Sequence, residues 1–224
     1  MIKKADLSNT VIIIPIYNAE KHLDKLFTQL KQITRNIIAV NDGSMDKSGD
    51  ICKGFDVIYY EFEKNKGKGA ALKKGFEIAL EKGFDFAITL DSDLQHNPKE
   101  LRKFFIKQML TRADFIYGKR SFSADKMPIP RIMSNFLTSL IVGFKTGKSI
   151  YDSQSGYRLY NLNIIKEISI NSTRYQTETE LILKFAKKNA KFDFVPIETV
   201  YADEKSYISH WRDIKNFVKI IMEN

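Results

Sequence analysis

The sequence contains very little cysteine and no long hydrophobic run. Cys52 is the single cysteine of the 224 residues, which excludes an internal disulfide framework and is consistent with a reducing compartment. The longest apolar stretches, such as SLIVGF from Ser139 to Phe144, are much shorter than a membrane span, so any membrane contact is expected to be peripheral. The N-terminal MIKKADLSNT lacks the design of a signal peptide. We therefore expect a protein of the cytoplasm or of the inner face of a membrane.

Histidine is also scarce, and positive charge is in excess. The three histidines, His22, His96 and His210, are too scattered to indicate a zinc site. The 36 Lys and Arg against 27 Asp and Glu give a net charge of +9, which favours an anionic partner. The lysines are spread along many predicted helices and no strand has the aromatic and basic signature of an RNA-binding module, so we expect no nucleic-acid partner.

Predicted strands and helices alternate along the first half of the chain. TVIIIPI, from Thr10 to Ile16, predicts a buried strand, and apolar residues at helical spacing follow it. Further strands are predicted to end near Asn41, Leu90 and Gly118. This rhythm predicts an α/β fold with a mostly parallel sheet, whose ligands collect beyond the carboxyl ends of the strands. Polar clusters stand at those ends: YNAE, NDGS, EKNKGKG, DSD and GKRS.

The segment LDSDLQHNP places two carboxylates where a buried strand ends. In an extended segment the side chains of Asp91 and Asp93 project to one face, so they can share a cation. Mg²⁺ or Mn²⁺ prefers oxygen ligands, and Gln95 offers an amide oxygen in addition. Two alternatives remain at this point: Asp93 caps the helix that begins near Pro98, or the pair lies in a solvated turn.

Three further motifs are relevant to phosphate or nucleotide binding. In VNDGS, Asp42 either hydrogen-bonds a base or ribose or belongs to an ordinary turn. KGKGAALKKG places Gly67 and Gly69 before a helix, where main-chain N–H groups and lysines can face phosphate, although the third glycine of a dinucleotide fingerprint is missing. GFKTGKS imitates a phosphate-binding P-loop but is one residue short and follows a predicted helix, so we reject that interpretation.

The ordered set VIIIPIYNAE, AVNDGSMDKS, NKGKGAALKKG, LDSDLQHNP, YGKR and DSQSGYR resembles inverting nucleotide-sugar glycosyltransferases of family 2 with the GT-A fold. Within them the likeness is to dolichyl-phosphate mannose synthase and related polyprenyl-phosphate glycosyltransferases, and it extends from Val11 to about Ser206. The resemblance implies one Rossmann-like domain over 1–224 with a C-terminal elaboration. Residues 1–120 would form its nucleotide-sugar half and residues 121–224 its acceptor half.

The resemblance also implies the site residues. A nucleotide-sugar pocket is expected from Pro15, Tyr17, Asn18, Glu20, Asp42, Lys68, Asp91 and Ser92. The metal, Mg²⁺ or Mn²⁺, is expected on Asp91, Asp93 and Gln95. The acceptor site is expected to comprise Arg120, Arg131, Ser155, Arg158 and Ser206, and the catalytic groups to be Asp91, Asp93, Arg131 and Asp152. YNAE has one residue between asparagine and glutamate where the family usually has none, which leaves the role of Glu20 open.

The implied reaction transfers a sugar from a nucleotide-sugar donor to a polyprenyl phosphate. Such an acceptor is mostly ionised at neutral pH, since the second pKa of a phosphate monoester is about 6, so it needs arginines rather than a strong base. A saccharide or other hydroxyl acceptor would instead need a carboxylate base, which Asp152 or Glu178 can supply. A catalytically silent sugar-nucleotide-binding protein is a further alternative.

An amphipathic helix is predicted from about Arg131 to Lys145. Its apolar stripe consists of Ile132, Phe136, Leu140 and Phe144, with basic residues at both ends. That stripe either rests on a bilayer where a lipid acceptor emerges or packs against the sheet.

Overall fold

The computed structural model describes residues 3–121, 129–198 and 210–223, and the side chains within these ranges except those of 129–131 and 210–215. Within these ranges seven strands form one sheet in the order β3-β2-β1-β4-β6-β5-β7. The strands are β1 (Thr10–Ile16), β2 (Ile37–Asn41), β3 (Ile58–Glu61), β4 (Phe86–Thr89), β5 (Phe115–Arg120), β6 (Arg158–Asn161) and β7 (Phe192–Ile197). Only β6 runs antiparallel to its neighbours, β4 and β5. The predicted mostly parallel α/β fold is therefore confirmed.

Helices cover both faces of the sheet. They are α1 (Glu20–Lys31), α2 (Ser48–Gly54), α3 (Lys68–Glu81), α4 (Leu101–Thr111), α5 (Ile129–Thr146), α6 (Leu162–Ile165), α7 (Gln176–Lys187) and α8 (His210–Glu223). A 3₁₀ turn at Pro98–Glu100 leads into α4. The described part of the chain has no helix long and apolar enough to cross a membrane.

Two hydrophobic cores lie on opposite faces of the sheet. One core contains apolar side chains of α1, α2 and α4, including Leu26, Phe27 and Phe104. The other contains side chains of α3, α5, α6 and α7, including Phe76 and Phe185. The central strands β1, β2 and β4 are buried on both faces and are almost entirely apolar, and polar residues cluster where these strands end.

Cys52 lies in the first core with its side chain fully buried. Burial, followed by the nearby Glu61 carboxylate, raises the pKa of this thiol to about 12. The thiol is therefore protonated at neutral pH and serves as an apolar packing group.

Helix α5 packs through a different face from the one that its apolar stripe indicates. Asn135, Ser139 and Val142 are buried beneath it. Phe136 and Leu140, by contrast, are 69% and 58% exposed, and Phe144 is 93% exposed. The helix thus presents a row of large apolar side chains to the outside, while small and polar side chains contact the protein.

Candidate active site

The carboxyl ends of β1, β2, β3, β4 and β5 lie along one edge of the sheet, because these strands share one direction. The reversed strand β6 starts at the same edge, where Arg158 is the register partner of Thr89. The loop before β6 is thereby brought beside the end of β4. The side chain of Thr89 donates a hydrogen bond of 2.7 Å to the carbonyl of Gly156. The sheet thus places the DSD segment next to DSQSGYR, which lies more than sixty residues further along the chain.

Lys68 lies between two carboxylates at this edge. Its Nζ is 2.6 Å from Oδ1 of Asp91 and 2.8 Å from Oε1 of Glu178, and all three side chains are largely buried. Burial disfavours the ammonium, but the two carboxylates outweigh it and raise the pKa of Lys68 above its usual value. Burial likewise opposes ionisation of Asp91, yet Lys68 holds the pKa of that carboxyl below its usual value. Lys68 and Asp91 are therefore both charged at neutral pH.

The backbone around Lys68 is held by Asp42. The carboxylate of Asp42 is only 2% exposed, and its two oxygens accept the main-chain N–H groups of Lys66 and Gly67 at 2.7 and 2.8 Å. Burial raises the pKa of Asp42 despite these hydrogen bonds. Gly67 adopts a φ of +99°, which a residue with a side chain rarely adopts, and this turn directs the chain into α3.

Asp91 also packs against Gly156. A Cβ at Gly156 would lie 2.4 Å from Oδ2 of Asp91, so only glycine lets the loop approach this carboxylate so closely. Neither the glycine nor Lys68 would be associated with Asp91 from sequence spacing alone. The GKG and SGYR motifs were the available signals, and the fold brings both to the same carboxylate.

Asp93 and Gln95 lie in the turn that follows Asp91, and Ser92 between the aspartates is half-buried. Oδ1 of Asp93 accepts the main-chain N–H of Gln95 at 3.0 Å. Leu94 has a φ of +57°, a strained conformation of the kind that concentrates at functional sites. Asn97, rather than Asp93, caps the following turn by accepting the N–H of Lys99.

The residues after β1 form the other wall of the site. Pro15 is buried within β1, whereas Tyr17 is exposed. Asn18, at a φ of +50°, accepts the N–H of Met45 at 2.9 Å. Glu20 accepts the N–H of Lys47 at 3.0 Å. These two side chains connect the loop after β1 to the loop after β2. Glu20, which the extra residue in YNAE separates from Asn18, thus contacts the second of these loops.

Two of the predicted acceptor arginines are engaged inside the protein. Nε of Arg120 lies 2.7 Å from Oδ2 of Asp152, and both side chains are buried. Arg158 is fully buried, and it donates hydrogen bonds of 2.6 to 2.7 Å to the main-chain carbonyls of Ser155, Glu178 and Ser153. The Arg158 side chain therefore joins β6, the loop before it and the start of α7.

Two other predicted acceptor residues fall outside the described part. The side chain of Arg131 is not described, although its position on α5 is, and Ser206 lies in 199–209. Ser155 is described, and its Oγ is buried without a hydrogen-bond partner among the described residues. Asn135, four residues after Arg131 on α5, is likewise buried, with both amide atoms unpartnered there. Sequence reasoning missed Asn135, because nothing distinguishes it from other polar residues of a helix.

Comparison with protein families matches residues 11–169, which include the strands and loops of this edge of the sheet, to glycosyl transferase family 2. The chain belongs to glycosyl transferase family 2. It is therefore a glycosyltransferase, as its motifs indicated.

Two curated relatives of this glycosyltransferase share most of its length. It is 30% identical to UDP-N-acetylglucosamine–dolichyl-phosphate N-acetylglucosaminyltransferase of Methanococcus voltae, over 86% of each chain. It is 28% identical to undecaprenyl-phosphate 4-deoxy-4-formamido-L-arabinose transferase of Photorhabdus laumondii, over 87% of this chain and 62% of the relative. The names of both relatives specify a polyprenyl-phosphate acceptor.

A solved structure confirms the fold of the glycosyltransferase. Glucosyl-3-phosphoglycerate synthase of Mycobacterium tuberculosis, in complex with Mn²⁺, UDP and its product, matches with a TM-score of 0.73 at 13% identity, over 96% of this chain and 77% of that one. At this identity the match shows the GT-A fold alone.

The side chains of the glycosyltransferase fit a hard divalent cation only in part. Asp91, Asp93 and Gln95 supply oxygen donors on one short segment, the ligand type that Mg²⁺ and Mn²⁺ prefer. No group of three or more His, Cys, Asp or Glu side chains arranged to hold a metal occurs in the described ranges. A cation at this segment must therefore complete its shell with oxygens from elsewhere, and the phosphates of a donor are the usual source.

His96 is a buried group of the glycosyltransferase that sequence reasoning set aside. Its ring lies 5.7 Å from that of Tyr157, and its Nδ1 has no hydrogen-bond partner among the described residues. Burial lowers the pKa of His96 to about 4, against the opposing influence of Asp91. His96 is therefore neutral at physiological pH and packs beneath the DSD turn.

Proposed function

We propose that this glycosyltransferase transfers a sugar from a nucleoside diphosphate donor to a polyprenyl phosphate with inversion at the anomeric carbon. One observation carries the choice of acceptor. Asp152 and Glu178, which a hydroxyl acceptor would need as a base, are paired with Arg120 and Lys68. An ionised phosphate needs no base, so an acceptor of that kind suits the groups that are present. The names of the two relatives support the same acceptor class.

In the proposed reaction an oxygen of the acceptor phosphate forms a bond to the anomeric carbon from the face opposite the departing diphosphate. The bond from that carbon to the diphosphate oxygen breaks, and no proton needs to move. We assign Asp91, Asp93 and Gln95 to hold Mg²⁺ or Mn²⁺, which when bound neutralises the charge that builds on the leaving diphosphate. Lys68, at the same edge, supplies a further positive charge to the diphosphate.

The donor lies in this proposal between the loops that follow β1, β2 and β4. Pro15, Tyr17 and Asn18 would line it on one side, and Ser92 on the other. Asp42 and Glu20 contribute by holding main-chain N–H groups of the neighbouring loops. That support keeps the pocket in shape before the donor arrives, which lowers the ordering required on binding.

The acceptor phosphate is assigned to Arg120, Arg131, Ser155 and Ser206, as the family resemblance implies. Ser155 and Asn135 support this assignment, because buried polar atoms without partners are rare in proteins unless a ligand or water satisfies them. Arg158 holds the loop that carries Ser155 by binding its carbonyl. We assign Arg158 to positioning that loop.

The outer face of α5 is assigned to peripheral contact with a membrane that carries the lipid acceptor. Met133, Phe136, Leu137, Leu140 and Phe144 are all exposed on this helix, and a contiguous exposed apolar patch of this kind marks a protein or membrane interaction site. Lys145 and Lys148 follow at its end, and positive charge near an amphipathic helix favours anionic lipid headgroups.

The test is a donor-by-acceptor assay on the purified protein. UDP- and GDP-sugars are supplied with Mn²⁺, Mg²⁺ or a chelator, and the acceptors are a short polyprenyl phosphate, the matching polyprenol, phosphoglyceric acid and free sugars. We expect transfer to the polyprenyl phosphate alone, only with metal, and NMR of the product should show the anomeric configuration inverted. Equal transfer to polyprenol or sugar, or no transfer under any condition, would contradict the proposal.

A matched pair of variants separates the site from the rest of the fold. Asp91→Asn should abolish transfer, because it removes a charged ligand at the carboxyl end of β4. Asp85→Asn alters the opposite end of the same strand, where Asp85 pairs with Lys3 at 2.7 Å. The Asp85 variant should retain wild-type turnover. If it lost activity as the Asp91 variant does, the effect of Asp91→Asn would not be specific to the site.

A further inference from the structure

Lys68 and Gly156 both contact the carboxylate of Asp91. Oδ1 of Asp91 is 2.6 Å from Nζ of Lys68, and Oδ2 lies against the Cα of Gly156, where even a Cβ would approach to 2.4 Å. A divalent metal needs a carboxylate oxygen at about 2.0 to 2.2 Å with its lone pair directed at the ion. A cation on Oδ1 would share that oxygen with the ammonium of Lys68, and the two positive charges would repel each other.

Lys68 has a second carboxylate to which it can hold if it leaves Asp91. Glu178, in the first turn of α7, accepts its Nζ at 2.8 Å and is itself buried. A lysine side chain has a flexible four-carbon stem, so its ammonium can move while the backbone stays in place. The backbone at Lys66 and Gly67 is fixed by Asp42, so any movement is confined to the side chain.

We propose that Lys68 is a resident counter-ion that holds Asp91 in the donor-free protein and exchanges with the divalent cation when the donor arrives. This inference rests on the proposed function and deepens it. Before loading, one ammonium neutralises Asp91 and keeps it turned towards α3. On loading, Oδ1 of Asp91 would be freed to hold the metal, and the ammonium of Lys68 would move to a phosphate oxygen of the donor while it stays beside Glu178.

The exchange makes binding of metal and of donor mutually dependent. Metal alone must displace Lys68 and leave the ammonium with one carboxylate instead of two. A nucleoside diphosphate supplies the anionic oxygens that replace Asp91 as the partner of Lys68. Each ligand therefore tightens the other by the same factor, as linkage requires.

The experiment is a titration of the full chain with Mn²⁺, in which free Mn²⁺ is measured by electron paramagnetic resonance without nucleotide and with UDP or GDP. Lys68→Met keeps the length of the side chain and removes the charge, and Lys68→Gln is the second variant should the first fail to fold. We expect both to bind Mn²⁺ without nucleotide at least roughly tenfold more tightly than the wild type. Added nucleotide should strengthen Mn²⁺ binding less in these variants than in the wild type.

Two further variants give the inference its controls. Lys73→Met removes an exposed lysine of the same helix and should bind Mn²⁺ like the wild type. Glu178→Gln removes the other partner of Lys68, so Asp91 becomes its sole anionic partner. The Glu178→Gln variant should bind Mn²⁺ without nucleotide as tightly as the wild type or more weakly. A purely structural Lys68–Glu178 pair would make the Lys68 and Glu178 variants change in the same direction.

Weaker or unchanged Mn²⁺ binding by the Lys68 variants would overturn the inference, as would tighter binding by Glu178→Gln. Absence of Mn²⁺ binding by every protein, even with nucleotide, would overturn it too. Sugar transfer is measured separately in the presence of chelator. Transfer to the polyprenyl phosphate that persists with chelator would show that the reaction needs no metal. That result would contradict this inference but leave the proposed acceptor unaffected, so the two failures are distinguishable.

Discussion

Arg120 binds Asp152 through two side-chain nitrogens and its own main-chain N–H. The guanidinium contacts the two carboxylate oxygens at 2.7 and 2.9 Å, and the backbone nitrogen of Arg120 donates to Oδ2 at 3.2 Å. The N–H of Gln154 adds a fourth donor at 3.3 Å. Asp152 thus accepts four hydrogen bonds from groups of the protein, which hold its carboxylate in a fixed orientation.

Asp152→Asn tests this pairing. The substitution removes the charge opposite a buried guanidinium, so the free energy of unfolding should fall by about 3 kcal/mol. Turnover should fall as Arg120 loses its fixed orientation, but the shape of the pH–rate profile should stay the same. Denaturant unfolding and kcat measured across pH check both points. A stable variant whose pH profile loses its acidic limb would instead identify Asp152 as a base.

Gly156→Ala tests the contact between the loop before β6 and Asp91. The new Cβ would lie 2.4 Å from one carboxylate oxygen and 2.7 Å from the other, so Asp91 must move. We expect kcat/KM to fall at least about tenfold, equivalent to about 1.4 kcal/mol. Gly54→Ala is the matched control, since a Cβ there meets nothing within 4 Å. Steady-state kinetics are measured on both variants. Equal loss of activity in the two would contradict a role for the contact between Gly156 and Asp91.

The double substitution Phe136→Ser with Leu140→Ser tests the outer face of α5. Binding to vesicles that contain anionic lipid should weaken at least about tenfold, because burying each of these side chains is worth about 1.5 to 3 kcal/mol. The melting temperature should hardly change, since both side chains are already exposed. Ile106→Ser with Leu110→Ser is the control, as these residues are exposed at the same spacing on α4. Co-sedimentation that weakens equally for both pairs would argue against a specific membrane face.

Glu180→Gln tests a buried carboxylate that organises the loop before α7. Burial opposes its ionisation, but Lys184, Ser172 and the N–H of Asn171 together lower the pKa of Glu180 below its ordinary value of 4.5. A lowered pKa in the folded state stabilises the protein above the ordinary value, and that contribution is lost as pH falls through the folded-state pKa. The wild type should therefore exceed the variant in stability at pH 7, by a margin that shrinks below about pH 4.5. Unfolding free energies at several pH values check this, and a constant margin would contradict the expected linkage.

The sequence predicted the strands and their polar ends well because both follow from local pattern. A strand buried on both faces is continuously apolar, so the sequence pattern predicts both the strand Thr10–Ile16 and the position of Asp91 at the carboxyl edge. The family resemblance assigned roles to single residues, but it did not reveal which of them contact each other. Those contacts arise from the topology.

The parts that escaped prediction depend on contacts between distant segments. Lys68 and Glu178 are separated by 110 positions, and no local periodicity connects them. The strand β6 has only four residues and runs against its neighbours, so alternation and length gave no signal. Asp42 is predicted to contact a base or ribose, and its two oxygens also accept main-chain N–H groups of a distant loop, contacts that the sequence could not disclose.

The reversal of β6 has an architectural consequence. Since Tyr117 of β5 pairs with Arg158 of β6, the intervening segment leaves the sheet and returns to it at neighbouring points. Closing a loop between fixed, adjacent ends depends only weakly on its length. Evolution can therefore lengthen, shorten or replace that excursion without shifting the register of the neighbouring strands.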